Sequence, residues 1–288
     1  MAMNPPSRWP GGSELTGDLA ATSYLAAYFA MKKLNLPGKT AGILLLLTGS
    51  ACLAQLPGSG GANNLGTDFA TLSKLFGEHT AFTAKSDVRV YDKSQKETTS
   101  VAMNFACLDK KCCVEIDISQ MKSKDLPAGA VAAIKQMGMD RLITIVRPEN
   151  KARYLVFPGL QSYVNTPLTT EETNAFAKNP RIGKTALGKE TLDGHACVKN
   201  KVTVTDDQGA KTEFTVWNAT DLKDFPVQIL TKEKDDTVII RYKDIQLTKP
   251  DAKEFDVPAD FKEYHDYLAL TQAATMKMMN EPAAPPAK

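Results

Sequence analysis

The chain has 288 residues, of which 43% are hydrophobic, and its 35 basic and 33 acidic residues give a net charge of +2. This length is sufficient to bury one sizeable hydrophobic core. The charges are nearly balanced and contain no basic block of the kind that marks nucleic-acid-binding proteins, which excludes a nucleic-acid partner.

The first distinctive segment is residues 31–54, MKKLNLPGKTAGILLLLTGSACLA. Met31 is followed by Lys32 and Lys33, and then by a short apolar run, Ala41–Leu47, that gives way to small residues. This order of charged, apolar and small residues predicts a secretory signal peptide. The apolar run is too short for a stable membrane span. We therefore predict export, to the periplasm or the outer membrane of a bacterial cell envelope.

The segments on either side of residues 31–54 differ in composition. Residues 1–30 precede a signal that normally begins a chain, so we interpret them as an extension from a misassigned start codon. A genuine N-terminal extension is the alternative. Residues 55–66 are rich in Gly, Ser and Asn and predict a flexible linker. Without residues 1–54, basic and acidic residues are equal in number.

The residues around Cys52 are compatible with two different cleavage sites of the signal peptide. Residues 50–52, Ser-Ala-Cys, resemble the end of a lipoprotein signal, although Gly49 stands where leucine is expected. In that interpretation Cys52 is the lipid attachment site, and stable anchoring requires more than one acyl chain. The alternative is ordinary cleavage after Ala54, which removes Cys52. Membrane association is predicted only through this anchor.

The remainder of the chain predicts one domain over residues 67–280, followed by a disordered tail over residues 281–288. Four short helices have an apolar face or a terminal signature, including a capping box between Thr169 and Glu172. They are Thr67–Phe76, Leu126–Gly138, Thr169–Ala177 and His265–Met279.

Alternating apolar residues predict roughly nine to eleven short strands without βαβ alternation. The fold class is therefore mainly β (α+β), a single curved antiparallel sheet or open half-barrel with a few short helices packed on or in it. The predicted strands are Ala81–Tyr91, Ser100–Leu108, Cys112–Met121, Arg141–Arg147, Arg153–Phe157, Gln161–Asn165, Ala196–Thr205, Lys211–Trp217, Val227–Lys232 and Thr237–Leu247.

Four cysteines follow the linker: Cys107, Cys112, Cys113 and Cys197. An even number in an exported chain predicts disulfides. Adjacent residues on a strand point to opposite faces, so Cys112 and Cys113 cannot both pair on one face. We expect Cys107 to pair with one of them across a hairpin, and Cys197 with the other. The C-x4-C-C spacing disfavours the alternative, a four-thiolate metal site.

Motifs of catalysis and cofactor binding are not found in the sequence. The three histidines, His79, His195 and His265, lie in separate regions without metal-ligand spacing, and no G-x-S-x-G nucleophile elbow is present. Residues 183–190, GKTALGKE, resemble a phosphate loop but end in Glu where Ser or Thr is needed, so we predict an ordinary loop. The sequence predicts no catalytic residue, cofactor or metal.

A set of aromatic residues in the predicted strands is a candidate lining for a pocket. An apolar face of a curved sheet can hold an acyl chain, and a plain packed core is the alternative. The candidate residues are Phe105, Tyr154, Phe157, Tyr163, Phe214, Trp217 and Tyr242.

Several separated motifs together resemble a bacterial family of unknown function, the domain of unknown function numbered 4412. They are Met139–Pro148, Tyr154–Tyr163, Lys189–Lys199, Val216–Pro226 and Asp251–Lys262. This family is similar in architecture to the LolA-like lipoprotein carriers. The resemblance spans roughly residues 80–264. It implies a curved antiparallel half-barrel closed by helices in the cell envelope, and it implies no catalytic residues. The carriers' lipid-binding residues have no matching motif here.

Two functional hypotheses follow. The first is a non-enzymatic envelope protein that binds a lipid, an acyl chain or another hydrophobic ligand in the concave face of the sheet. The second is a structural or interaction module with a filled core and an envelope protein as its partner. An envelope hydrolase is disfavoured, because no acid–base or nucleophile constellation is present.

Overall fold

The computed structural model describes residues 69–124, 126, 129–177, 180–206, 209–233 and 235–280. Several predictions lie outside the described residues: the extension, the signal peptide, the linker, the attachment site at Cys52 and the tail over residues 281–288.

Thirteen strands in the described part of the chain form one sheet. They are β1 Ala81–Tyr91, β2 Glu97–Leu108, β3 Lys111–Asp117, β4 Lys122–Ser123, β5 Arg141–Arg147, β6 Ala152–Phe157, β7 Ser162–Pro167, β8 Arg181–Leu192, β9 His195–Thr205, β10 Lys211–Ala219, β11 Phe225–Glu233, β12 Asp236–Gln246 and β13 Lys262–Tyr264.

The strand order is β13-β7-β6-β5-β3-β2-β1-β12-β11-β10-β9-β8, and β4 pairs with β2 outside this path. Only the short pair between β13 and β7 is parallel among the described strands. Most neighbours are joined by tight connections, which is the arrangement that antiparallel strands allow. The predicted single, open, mainly antiparallel sheet is confirmed.

Four helices accompany the described strands: α1 Phe69–Lys74, α2 Ala130–Gln136, α3 Thr170–Ala177 and α4 Tyr267–Asn280. The predicted capping box begins α3: the N–H of Thr169 donates to Glu172 Oε2 at 2.9 Å, and the N–H of Glu172 donates to Thr169 Oγ1 at 3.1 Å. None of these helices is long and apolar enough to cross a bilayer.

Two local predictions are corrected by the structure. The loop predicted over residues 183–190 lies within β8, which pairs along its length with β9. Its residues are almost all exposed, so they lack the alternation of a half-buried strand. The strand predicted to reach Met121 ends at Asp117, whose side chain accepts a hydrogen bond from the Ser119 N–H and caps a short 3₁₀ turn.

Alternation along the strands gives the sheet two different faces. The core face carries one continuous buried cluster that runs from β7 to β9 and includes Phe82, Ile116, Leu155, Val164, Val202 and Ile229. The outer face carries a smaller cluster around Ile145, Val156 and Phe255. The core face is covered by residues of or next to the helices, such as Phe76 and Leu270, and not by a second sheet.

Candidate ligand-binding site on the core face

The structure divides the predicted pocket lining between the two faces of the sheet. Phe105, Phe157, Phe214, Trp217 and Tyr242 lie buried in the core-face cluster. Tyr154 and Tyr163 pack against the outer-face cluster, with ring centroids 6.2 Å apart. A pocket lined by all seven side chains is therefore wrong. For the five on the core face, a ligand-lining role stays a prediction.

Phe76, which follows α1, occupies the core face at the centre of the sheet. Its ring centroid lies 4.8 Å from that of Phe82, 5.7 Å from that of Phe105, and 5.5 Å from those of Phe225 and Tyr242. Such tilted and edge-on contacts are favourable for aromatic pairs. Over β1, β2, β11 and β12, the core face is therefore filled by the protein's own side chains.

Buried polar atoms without a hydrogen-bond partner are a second feature of the core face. In the described residues they are Ser86 Oγ, Thr144 Oγ1 and Arg153 Nη1. Their residues are only 2%, 3% and 6% exposed. An unsatisfied buried donor costs about 1–3 kcal/mol, and more when it is charged. Native proteins keep few such groups, and each is explained by an ordered water, an ion, strain or a functional role.

Arg153 is held in place by Glu172, which projects from α3. Arg153 Nη2 donates to Glu172 Oε1 at 2.5 Å, and both side chains are largely buried. The same helix places Phe176 against Val146 of β5 and Leu168. Helix α3 therefore covers the core face of β5 and β6, directly over the guanidinium group.

Thr144 and Arg153 are neighbours beneath this helix. Thr144 lies opposite Leu155, and Arg153 lies opposite Val146, in the antiparallel pair of β5 and β6. Such diagonal neighbours on one face are about 7–8 Å apart, within reach of a long arginine side chain. Two unsatisfied groups that can both donate hydrogen bonds thus belong to diagonally neighbouring residues on one face of the sheet. They are suited to an oxygen acceptor.

Sequence reasoning did not single out Thr144 or Arg153, although the pattern contains a signal. Arg153, Leu155 and Phe157 alternate on one strand, and the last two are apolar. An arginine in register with core residues must be buried, and a buried arginine needs a partner. That partner, Glu172, lies beyond β7 in the chain, so only the packing of α3 reveals it.

The four cysteines are thiols in this structure. Cys107 and Cys112 lie directly opposite each other on β2 and β3, with their Sγ atoms 3.1 Å apart. Cys113 faces the outer cluster, whereas Cys197 belongs to the core-face cluster. The two lie on opposite faces of the sheet, so the predicted arrangement that pairs Cys197 with Cys113 is not compatible with the fold.

Burial also determines the acidity of these thiols. Removal from water raises the pKa of Cys112 well above its ordinary value, and the neighbouring Cys107 adds to this effect. Burial, followed by the negative charges of Glu254 and Glu115, raises the pKa of Cys113 to about 12. Both are therefore poor nucleophiles near neutral pH, because the thiolate is the reactive form.

Oxidation of the folded chain should join Cys107 to Cys112. The pair needs little movement to reach the S–S bond length of about 2.05 Å. The closed loop is short, so the bond should raise the free energy of unfolding by only about 2 kcal/mol. Peptide mapping by mass spectrometry would show the linked peptide with two fewer hydrogen atoms. Cys113→Ser and Cys197→Ser should retain it. A disulfide through Cys113 or Cys197 in the wild type would contradict the prediction.

A separate depression of about 680 Å³ lies on the outer face between β1, β2, β3 and β12. Its lining includes an ion pair between Lys85 Nζ and Asp244 Oδ2 at 2.9 Å, together with Asn104 and Glu115. Phe105 is the one member of the predicted pocket set that borders it. Its lining combines these charged and polar side chains with apolar residues in similar proportion.

The histidines lie apart and contact different partners. His79 Nε2 is 2.9 Å from the Lys223 carbonyl oxygen, and His195 Nδ1 is 2.7 Å from Asp221 Oδ2. The hydrogen bond from His195 lowers the pKa of Asp221. Among the residues that the structure describes, no group of three or more His, Cys, Asp or Glu side chains is arranged to hold a metal ion.

Comparison with known proteins finds no matching family model and no significantly similar curated protein. Membership of the family numbered 4412 therefore stays a prediction. Similar solved structures include a LolA superfamily protein from Nitrosomonas europaea, with 10% identity, 64% of this chain and 93% of that chain aligned, and a TM-score of 0.32.

Two mycobacterial structures are also similar to this chain. LprF from Mycobacterium bovis aligns with 15% identity over 66% of this chain and 92% of its own, with a TM-score of 0.35. The lipoprotein LppX from Mycobacterium tuberculosis aligns with 12% identity over 60% and 92%, with a TM-score of 0.33. Likeness at this level is too distant to transfer a function, which must be argued from the residues of this chain.

Proposed function

We propose that the chain is an exported, non-enzymatic protein of the cell envelope that binds an amphipathic hydrophobic ligand on the core face of its sheet. The observation that carries this proposal is the pair of unsatisfied groups, Arg153 Nη1 and Thr144 Oγ1, buried among apolar residues under α3. Export rests on residues 31–54, and the anchor at Cys52 rests on the same segment.

The chemistry of this site selects a ligand with an oxygen acceptor at one end and an apolar body. Arg153 donates strongly to carboxylates and phosphates, and its second nitrogen is already used by Glu172. The adjoining core-face residues Leu155 and Val164 are apolar and buried. A long-chain fatty acid or a phospholipid satisfies both requirements, with its head group at Arg153 and its chain along β6 and β7.

Helix α3 defines the route by which such a ligand enters. Arg153 Nη1 is inaccessible while Glu172 and Phe176 lie over β5 and β6. Binding therefore requires displacement of α3, an eight-residue helix. The ligand's anionic group then takes a position that Glu172 partly fills in the unliganded protein.

The test is native mass spectrometry of the purified full chain, followed by organic extraction, and titration with a fluorescent fatty acid. Wild type should release bound acyl lipid and should bind the probe saturably. Leu155→Trp should weaken probe binding at least tenfold, because the larger ring would occupy the part of the core face beside Thr144 where the ligand is proposed to lie. Tyr154→Trp is the matched control, since the neighbouring side chain lies on the outer face, and it should bind as wild type does.

Two outcomes would contradict the proposal. One is a folded wild-type chain, verified by circular dichroism, that yields no lipid and shows no saturable binding. The other is equal weakening by both tryptophan variants, which would place the ligand elsewhere.

A second candidate function is a protein-interaction module with a filled core. The packing of Phe76 against four aromatic rings favours it, because that part of the core face has no room for a ligand. In that case Thr144 and Arg153 are satisfied only by water, and the chain binds an envelope protein through its surface. Absence of lipid in the experiment above would support this alternative.

A further inference from the structure

Strand β8 is a long, exposed strand at one end of the sheet. It has twelve residues, and all but Leu192 are exposed. Among the described strands it pairs with β9 alone, so the backbone groups along its other edge face away from the sheet. A strand of this length extends about 40 Å, and such an edge is a template for pairing with another strand.

Apolar side chains also lie on this edge. Ile182 is 47% exposed and Leu187 is 54% exposed, and they are two of the three large apolar side chains that the described residues expose. The register between β8 and β9 shifts at Leu187, which has no opposite residue on β9. An exposed leucine on a long open edge adds an apolar contact to the backbone pairing that such an edge offers.

We propose that β8 pairs with β8 of a second copy of this chain, in an antiparallel arrangement with Leu187 on the twofold axis. The sheet then continues across the dimer. This proposal is independent of the ligand proposed for the core face.

Charge complementarity supports this register. With Leu187 on the axis, Lys184 lies opposite Glu190 of the second copy, and Arg181 lies opposite Asp193 of the second copy. The axis repeats each pair, so the dimer has two pairs of opposite charge within the paired strands and two at the strand ends, where Asp193 follows β8 in a turn. A shift of one residue in one direction would instead oppose Lys184 and Lys189, and like charges directly opposite are destabilising. A shift in the other direction would oppose Lys184 to Thr191 and Glu190 to Thr185, which removes the charge pairs.

The carboxylates of Glu190 and Asp193 have acceptor positions left for these contacts. Glu190 accepts a hydrogen bond from Trp217 Nε1 at 2.7 Å and lies 3.3 Å from Lys199 Nζ. Asp193 lies 3.5 Å from Arg241 Nη1. An ionised carboxylate has about four acceptor positions. The ion pairs thus select the register, whereas the backbone hydrogen bonds supply the affinity.

Disulfide cross-linking tests directly whether Leu187 lies on the twofold axis. In the full chain, Leu187→Cys should form an intermolecular disulfide under mild oxidation, because directly opposite antiparallel residues have Cα atoms about 4.5–5.5 Å apart. Met276→Cys is the matched control, since Met276 is 65% exposed on α4 and away from β8. The disulfide-linked dimer should be at least tenfold more abundant for Leu187→Cys.

Sedimentation of charge variants tests the register. Wild type should show a concentration-dependent monomer–dimer equilibrium. Lys184→Glu and Glu190→Lys should each weaken it at least tenfold, because each opposes like charges across the axis. A mixture of the two variants should restore association, since every opposed pair is then complementary.

Three results would overturn the proposal. The first is a wild type that stays monomeric at all concentrations tested. The second is a mixture of the charge variants that associates no better than either alone. The third is strong hydrogen-exchange protection of the outward amides of β8 in a monomeric sample, which would show that another segment of the same chain covers the edge.

Discussion

Glu172→Gln should lower the free energy of unfolding by about 3–5 kcal/mol, because it leaves the buried guanidinium of Arg153 without a charged partner. Glutamine keeps a side-chain oxygen for the N–H of Thr169, so loss of the helix cap contributes little. Chemical denaturation of the wild type and the variant measures the difference in the free energy of unfolding, provided that both have the same m-value.

A double-mutant cycle separates the stabilisation that the ion pair provides from the free-energy cost of burying its two charges. Arg153→Met together with Glu172→Gln should recover most of the lost stability, since replacing a whole buried pair is often neutral. The exposed pair of Lys201 and Glu213 provides the comparison: Glu213→Gln should cost at most about 1 kcal/mol. Equal losses of unfolding free energy for Glu172→Gln and Glu213→Gln would show that the Arg153 ion pair behaves as an exposed pair.

The same variants connect stability with ligand binding. Arg153→Met in the Glu172→Gln background should weaken binding of a long-chain fatty acid while leaving binding of its methyl ester unchanged, because only the acid has a charge for the guanidinium to bind. A parallel loss of both ligands would indicate that the double variant disturbs the apolar part of the site.

Phe76→Ala should destabilise the fold by about 3–5 kcal/mol, as expected for a buried phenylalanine that leaves a cavity. The side chain is 3% exposed and contacts four aromatic rings of the core face. Thermal and urea unfolding would measure the loss. Met276→Ala, on the exposed face of α4, should change stability by at most about 0.5 kcal/mol.

Phe76→Ala also distinguishes the two candidate functions. If the core face accepts a hydrophobic ligand over β5 to β7, the variant should still bind the fluorescent fatty acid, and the bound ligand should restore part of the stability. If the core face is only a packed interior, the variant should be destabilised and should not bind. A cost below about 1 kcal/mol would show that Phe76 is not an integral part of the core.

The strands and helix termini show how far local pattern specifies this fold. Val88 and Val90 alternate with polar residues in β1, and the predicted bounds of that strand, Ala81–Tyr91, match the structure. The capping box of α3 was equally readable, because its chemistry lies within four residues. Strand β8 was missed because its residues are exposed, and pairing with β9 makes it a strand without alternation.

The sequence by itself determined the elements whose signal is local: the apolar alternation of most strands, the helix caps, and the opposite faces of Cys112 and Cys113. Tertiary structure decided everything that joins distant residues. It placed Tyr154 and Tyr163 on the outer face, and it set Glu172 of α3 over Arg153 of β6. The physical reason is that the alternation of apolar and polar residues in a strand shows only that its two faces differ. Which face is buried, and against what, depends on the helices and strands that pack there.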